Sequence, residues 1–157
     1  MKLIMKLTLT LLILLAHSQF SWAGDQDDSS IWLYNIDQAK AEANKEDKLI
    51  LISFSGSDWC APCIRLEKNL FATDQFATYA KNNLVLLKLD FPAQKKNKLP
   101  EDQLHHNEVL ADQYNKKGAF PLVLIIDAEG EVKGYMEHPK STTEDYISSI
   151  NTIVNKK

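Results

Sequence analysis

Two cysteines, Cys60 and Cys63, are the residues whose types and spacing could do chemistry in this chain of 157 residues. They are its only cysteines, and they form a Cys-x-x-Cys motif between an apolar run at 49–52 and a helix-like pattern at 64–71. Backbone N–H groups at the start of a helix stabilise a thiolate. Thiol–disulfide exchange needs such a nucleophile and a second thiol that resolves the mixed disulfide. The motif therefore predicts a redox-active dithiol.

The same pair could instead be a structural disulfide or half of a zinc site. A disulfide that closes a four-residue loop would constrain the unfolded chain very little. A zinc site needs about four ligands, and beyond residue 23 only three histidines remain, at positions 105, 106 and 138. We expect His105 and His106 on a polar helix face and His138 in a loop. We therefore predict no metal site and no cofactor beyond the Cys60–Cys63 disulfide itself.

The positions around the motif suggest separate roles. Cys60 is expected on the outside, where it can attack a substrate, and Cys63 lies one turn inward, where it should be buried and act as the resolving thiol. Trp59 would offer an apolar surface to a substrate peptide. Pro62 falls in the first helical turn, where its missing N–H group costs nothing. Asp58 would oppose a thiolate by like charge if its carboxylate points toward the sulfur.

Composition and charge narrow the class of partner. The apolar fraction of 45% and the charged fraction of 25% are ordinary for one globular domain. The formal net charge is −3, and the part after residue 23 holds 16 basic and 21 acidic residues. Nucleic-acid binding needs a basic surface, so we expect no nucleic-acid partner.

The first 23 residues have the three parts of a secretory signal peptide. Lys2 and Lys6 precede an apolar stretch at 7–16, and Ser21 and Ala23 are the small residues before a cut at Gly24. The alternative is an uncleaved anchor, but the stretch is about half of the ~20 residues needed to span a bilayer. We predict a signal peptide at 1–23, one domain at 24–157 with its core at 31–154, and export across the inner membrane to the periplasm.

The rest of the chain alternates between strand-like and helix-like patterns. Continuous apolar runs at 48–54, 84–90 and 121–127 predict buried strands, and a tight turn at 128–130 predicts a closing hairpin. Helices are expected after Asn35, after the cysteines, at 101–116 and after a capping box from Ser141 to Glu144. A basic loop at 91–100 is interpreted as a solvated surface. The order predicts an α/β fold with a central mixed sheet of four to five strands and helices on both faces.

Three short segments resemble the thioredoxin family. Trp59-Cys-Ala-Pro-Cys63 is similar to that family's active-site motif, Phe120-Pro121 to its cis-proline, and Lys88 to the lysine beside its active site. The similarity covers about 31–154 and points in particular to secreted bacterial thioredoxin-like proteins. From the residues alone, Pro121 could be a trans proline at an edge strand and Lys88 an ordinary strand lysine. The resemblance implies a thioredoxin fold with a cis Pro121 beside the sulfurs and Phe120 next to the substrate.

Two positions depart from the family pattern. The buried aspartate that thioredoxins carry before the active site falls near Ser53, so its carboxylate is absent. Phe120 replaces the Thr, Ile or Val that usually precedes the cis-proline. We therefore expect proton handling and substrate preference to differ from those of cytosolic thioredoxin.

The resemblance implies a thiol:disulfide oxidoreductase that reduces disulfides of proteins or peptides. With the predicted signal peptide, we expect this protein to be exported, and we expect a monomer. Its electrons would come from a membrane partner of the DsbD type. The alternatives are a periplasmic oxidase or isomerase with the same site, a copper-handling protein that uses the cysteines as soft ligands, and a non-catalytic binding protein with a thioredoxin-like fold.

Overall fold

The structure is a computed structural model, and it describes residues 31–136, 140 and 142–155. The signal peptide predicted at 1–23 and the loop predicted at His138 lie outside these residues. Eleven helices and strands follow one another as β1 Trp32–Leu33, α1 Ile36–Glu46, β2 Leu49–Ser55, α2 Ala61–Leu66, a π-helix Glu67–Phe71, α3 Asp74–Asn83, β3 Leu84–Asp90, α4 Glu101–Tyr114, β4 Leu122–Ile126, β5 Val132–Tyr135 and α5 Thr143–Val154. A 3₁₀ turn, Lys95–Asn97, lies in the basic loop.

The five strands form one mixed sheet in the order β1-β3-β2-β4-β5. β1 and β2 both run parallel to β3, whereas β4 is antiparallel to β2 and to β5. β2 is therefore the central strand, which explains its continuous run of apolar residues without alternation. The predicted mixed sheet with helices on both faces is confirmed, and it has five strands.

Two hydrophobic clusters lie on opposite faces of this sheet. One contains side chains from α2, the π-helix, α3 and α5, among them Leu66, Phe76 and Ile150. The other contains side chains from α1 and α4, among them Ala39 and Leu110. Within the described part of the chain, no helix combines the length and apolarity that a membrane crossing requires.

The helix after the cysteines is not a regular α-helix to its end. The pattern at 64–71 predicts one continuous helix, but from Glu67 the chain widens into a π-helix. The N–H group of Ala72 donates to the carbonyl of Glu67 over 2.8 Å, a bond that spans five residues. π-turns of this kind are rare and often occur at functional sites. A new helix then begins with Thr73 as its N-cap.

Three boundaries differ from the sequence prediction. The last helix is capped by Thr142, whose side chain accepts from Asp145 in a capping box, one residue later than the predicted box from Ser141 to Glu144. Helix α4 ends at Tyr114, two residues before the predicted end. Pro121 precedes β4 rather than opening it.

Candidate active site

The cysteine motif lies where the central strand β2 leads into helix α2. After Ser55, the carbonyl of Gly56 accepts from the N–H group of Cys60 over 2.9 Å, which folds the connecting segment into a tight turn. Cys60 is then the N-cap of α2, and its Sγ accepts from the N–H group of Cys63 over 3.3 Å. Pro62 lies in the first turn of α2, as its lack of an N–H group predicts.

The two sulfurs are bonded, so the structure shows the oxidised form. The Cα atoms of Cys60 and Cys63 are 5.2 Å apart, within the range that disulfides bridge. Their residues are 4% and 3% exposed, respectively. The predicted contrast between an exposed Cys60 and a buried Cys63 is therefore wrong for this form. In this form the Cys60 sulfur is bonded to that of Cys63, whose N–H group also donates to it.

Aromatic side chains form the exposed surface beside the disulfide. Trp59 is 50% exposed, and its Nε1–H group donates to the carbonyl of Phe91 over 2.7 Å. The ring of Phe120 lies edge-on to both neighbours, with centroids 5.4 Å from Trp59 and 5.5 Å from Phe91. The three rings form a contiguous apolar surface that a peptide substrate could contact.

The Phe120–Pro121 peptide bond is cis, as the resemblance implied. Pro121 is buried, and the adjoining strand β4 pairs with the central strand from Leu122 against Phe54 onward. The ring contact between Phe120 and Trp59 then connects this segment with the cysteine motif. The structure thus brings together residues 59–63 and 120–121, which are about sixty positions apart in the sequence.

The carboxylate of Asp58 does not point at the sulfurs. It accepts from the N–H groups of Ala93 and Gln94 over 2.8 and 3.0 Å, and from the side chain of Asn97 over 2.9 Å. The Ala93 bond, with help from Asn97 and Gln94, lowers the pKa of Asp58 below its ordinary value. Asp58 therefore holds the basic loop at 91–100 against the active-site turn by hydrogen bonds. The sequence did not indicate this role.

Ser57, which precedes Asp58, connects the active-site turn to the end of β3. Ser57 donates from its backbone N–H group to Asp90 over 2.9 Å, and its hydroxyl group donates to the same carboxylate. Asp90 ends β3, and its backbone carbonyl accepts from the buried Asn107 of α4 over 2.8 Å. The turn at 56–59 is thus bonded to β3 through the carboxylate of Asp90, and to the loop after β3 through the carboxylate of Asp58.

Lys88 lies near the cysteines but interacts directly with other groups. Its Nζ atom is 2.9 Å from Oε2 of Glu67 and 5.0 Å from the centroid of the Trp32 ring. Ser53, its partner in the β2–β3 register, is 2% exposed and carries no carboxylate. Glu67 was not among the predicted site residues, although its position four residues after Cys63 on a helix could have indicated it.

The histidines are placed differently from each other. His105 is exposed, as predicted. His106 is partly buried, and its Nε2 atom accepts from the N–H group of Ile36 over 3.1 Å, so it satisfies a donor at the start of α1. His106 is therefore less exposed than the predicted position on a polar helix face implies. The described residues contain no group of three or more His, Cys, Asp or Glu side chains that could hold a metal ion.

The family model for thioredoxin-like proteins matches residues 31–128. The disulfide bond reductase DsbH of Chlamydia pneumoniae is 33% identical over 115 residues, which cover 73% of this chain and 68% of that protein. The thioredoxin-related protein DsbJ of the same organism is 26% identical over 88 residues, which cover 55% of this chain and 25% of DsbJ.

Solved structures agree with these relatives. A structure of a DsbH oxidoreductase superposes with a TM-score of 0.72 at 30% identity, covering 80% of this chain and 85% of that one. A putative disulphide-isomerase from Bacteroides thetaiotaomicron superposes with a TM-score of 0.56 at 26% identity, covering 80% of this chain and 92% of that one. The chain belongs to the thioredoxin-like family and is a thiol:disulfide oxidoreductase.

Proposed function

We propose that this protein is an exported reductase of protein disulfides that works through Cys60 and Cys63. The observation that carries the proposal is the closed pair at the start of α2, where the N–H group of Cys63 donates to the Cys60 sulfur. The same donor would stabilise a Cys60 thiolate in the reduced form. Cys60 is the attacking residue, and Cys63 resolves the mixed disulfide.

The substrate is a protein or peptide disulfide that lies against the exposed aromatic surface. Trp59 and Phe120 provide apolar contacts for the residues flanking the substrate disulfide, and Pro62 borders them on the exposed first turn of α2. Pro121 directly follows Phe120, whose ring contacts Trp59, so we place the substrate backbone beside this segment. Lys88 acts indirectly, through the carboxylate with which it pairs.

The direction of electron flow is proposed from the relatives and from the motif. The relative with 33% identity is named a disulfide bond reductase, and Trp59-Cys-Ala-Pro-Cys63 is close to the Trp-Cys-Gly-Pro-Cys motif of reducing thioredoxins. The predicted signal peptide at 1–23 would bring the chain to the periplasm. A monomeric reductase there requires an electron donor, for which we propose a membrane protein of the DsbD type.

Replacement of the proposed nucleophile tests this function. We expect Cys60→Ser to abolish the reduction of insulin disulfides, because no thiolate remains that can attack. Cys63→Ser should instead accumulate a mixed disulfide with the substrate, since the resolving thiol is missing. Both variants should fold as the reduced wild-type protein does. Retention of insulin reduction by Cys60→Ser would exclude Cys60 as the nucleophile.

The reduction potential of the pair distinguishes a reductase from its main alternative. A value of about −270 mV is expected for a reductase, whereas a value of about −120 mV would indicate an oxidase. Isomerase activity has some support, because one structural relative is a putative disulphide-isomerase at 26% identity. Refolding of a scrambled protein with several disulfides measures that activity directly, and a reductase without isomerase activity should not accelerate it.

A further inference from the structure

Cys63 lines a cavity that it shares, among the described residues, with one carboxylate, that of Glu67. The cavity has a volume of about 450 Å³, and its lining includes Cys63, Ser55, Glu67 and Lys88. This volume would hold several water molecules. Glu67 is the single acidic residue among the described residues that line the cavity, and its other charged residues are Lys88 on β3 and Lys68 next to Glu67.

Glu67 follows Cys63 by one helical turn, and its carboxylate is paired with another residue of the cavity lining. Its N–H group donates to the carbonyl of Cys63 one turn earlier, and residues four apart on a helix have Cβ atoms about 5–6 Å apart. The Glu67 carboxylate is 2.9 Å from the Lys88 ammonium group, which in turn lies 5.0 Å from the ring centroid of Trp32. Lys88 is thus held between Trp32 and Glu67, and it keeps the carboxylate at the cavity.

The resolving step requires a proton acceptor at this place. Cys63 is 3% exposed, and a thiol must lose its proton before it can attack a disulfide. Ser53 faces Lys88 in the register of the central strands and offers only a hydroxyl group. Glu67 is the acidic group that shares the cavity with Cys63.

We propose that Glu67 accepts the proton of Cys63 when Cys63 resolves the mixed disulfide, directly or through one water molecule. The proton moves from Cys63 to the Glu67 carboxylate, and the Cys63 thiolate attacks the Cys60 sulfur. The Cys60–Cys63 bond forms, the bond from Cys60 to the substrate sulfur breaks, and the substrate leaves as a thiolate that takes up a proton. The dithiol loses two electrons, and the substrate disulfide gains them. Lys88 is the positioning residue for the carboxylate.

The inference rests on the proposed dithiol chemistry, so its test uses a reaction that is independent of the direction in vivo. Reduced protein is mixed with glutathione disulfide, which forms a mixed disulfide at Cys60 that Cys63 then resolves. Acid quenching and mass spectrometry follow this intermediate over time between pH 6 and pH 9. Wild-type protein, Glu67→Gln, Glu67→Asp and Lys88→Met are compared.

We expect Glu67→Gln to slow the decay of the intermediate about 10- to 100-fold near pH 6 to 7, the size of effect typical for loss of a general base. The difference should shrink toward pH 9, because the thiol then loses its proton to solvent. Glu67→Asp should recover part of the rate, and Lys88→Met should give a smaller slowing. Glu42→Gln is the matched control, since Glu42 forms an exposed ion pair with Lys45 on α1, and it should decay like wild type.

Two results would overturn the inference. One is a Glu67→Gln variant whose intermediate decays at the wild-type rate across the whole pH range. The other is an equal slowing at every pH, which would indicate a change in geometry rather than loss of a proton acceptor. If the wild type resolves the glutathione intermediate but does not reduce insulin, the proposed reductase function fails while the role of Glu67 is still decided by the variants.

Discussion

Gly56 determines the position of Trp59 at the active site. A Cβ atom at position 56 would lie 2.3 Å from Cε2 of the Trp59 ring, so only glycine lets the indole lie over the turn. In that position the Trp59 Nε1–H group reaches the carbonyl of Phe91, and its ring meets Phe120. The substrate-facing surface therefore depends on a residue that has no side chain.

We expect Gly56→Ala to displace Trp59 and to break its hydrogen bond to Phe91. The KM for an apolar disulfide peptide should rise several-fold, and the near-ultraviolet circular dichroism of the tryptophan should change. Gly118→Ala is the control, because Gly118 has φ +61° and nothing within 4 Å of its added Cβ atom. That variant should lose about 1–2 kcal/mol of stability, the cost of a left-handed backbone for alanine, without a change in KM. An unchanged KM in Gly56→Ala would contradict the proposed role of Trp59.

The active-site turn and the loop after β3 act as one unit because of Asp58. Its two carboxylate oxygens hold Ala93, Gln94 and Asn97. These bonds lower the pKa of Asp58, so its contribution to stability is present above the ordinary value of 3.8 and disappears as pH falls through the lower folded-state value.

Asp58→Asn should therefore lower the midpoint of thermal unfolding at neutral pH and raise amide exchange at residues 93 and 94. The difference in midpoint from wild type should persist down to about pH 3.8 and close below it. Asp112→Asn, on the exposed side of α4, serves as the control and should not reproduce this pH dependence. A constant difference at all pH values would mean that the charge of Asp58 is not what holds the loop.

Elements with strong local signals were predictable from the sequence, and elements decided by neighbouring structure were not. The runs that became β2 and β3 are apolar on both faces, which identifies buried strands. The π-helix at Glu67–Phe71 has the same spacing of apolar residues as an α-helix, so the sequence does not distinguish the two. The cap of α5 shifted by one residue because Ser141 and Thr142 offer equivalent hydroxyl groups, and Asp145 as well as Glu144 can complete the box.

In the candidate site, too, residues in contiguous motifs were predictable, whereas contacts between distant segments were not. Cys60, Cys63, Trp59 and the Phe120–Pro121 pair could be identified because they form contiguous motifs. The partners of Asp58 are about 35 residues away along the chain, and the ion pair between Glu67 and Lys88 joins residues 21 positions apart. Such contacts depend on how the active-site turn and the π-helix pack against β3 and the loop after it, which periodicity does not encode.

At the scale of the whole molecule, two hydrophobic clusters hold helices on opposite faces of the sheet. The cluster that contains Leu66 and Leu70 packs against α2 and the π-helix. It therefore holds the helical segment that begins at the cysteines against the sheet. Phe76 of α3 is fully buried in the same cluster, and its ring centroid is 5.2 Å from that of Phe71.

We expect Phe76→Ala to reduce the free energy of unfolding by about 3–5 kcal/mol, because it leaves a cavity in a close-packed core. Urea denaturation measures this loss. Phe120→Ala is the comparison, since Phe120 is only partly buried at the site and should lower activity on apolar peptides with a much smaller loss of stability. Equal losses of stability in the two variants would contradict the assignment of Phe120 to a substrate-facing surface.

The central position of β2 has a consequence for how the chain is made. β2 is synthesised early, but one of its two neighbours, β4, follows it by about seventy residues, and Phe120 arrives only just before β4. Until that segment emerges, a nascent chain carries both cysteines with one edge of β2 unpaired and no ring against Trp59. Since the chain has only these two cysteines, they cannot form a wrong intramolecular pair during this interval. The contact between Trp59 and Phe120 therefore forms only after most of the chain has been synthesised, although the two cysteines can already pair.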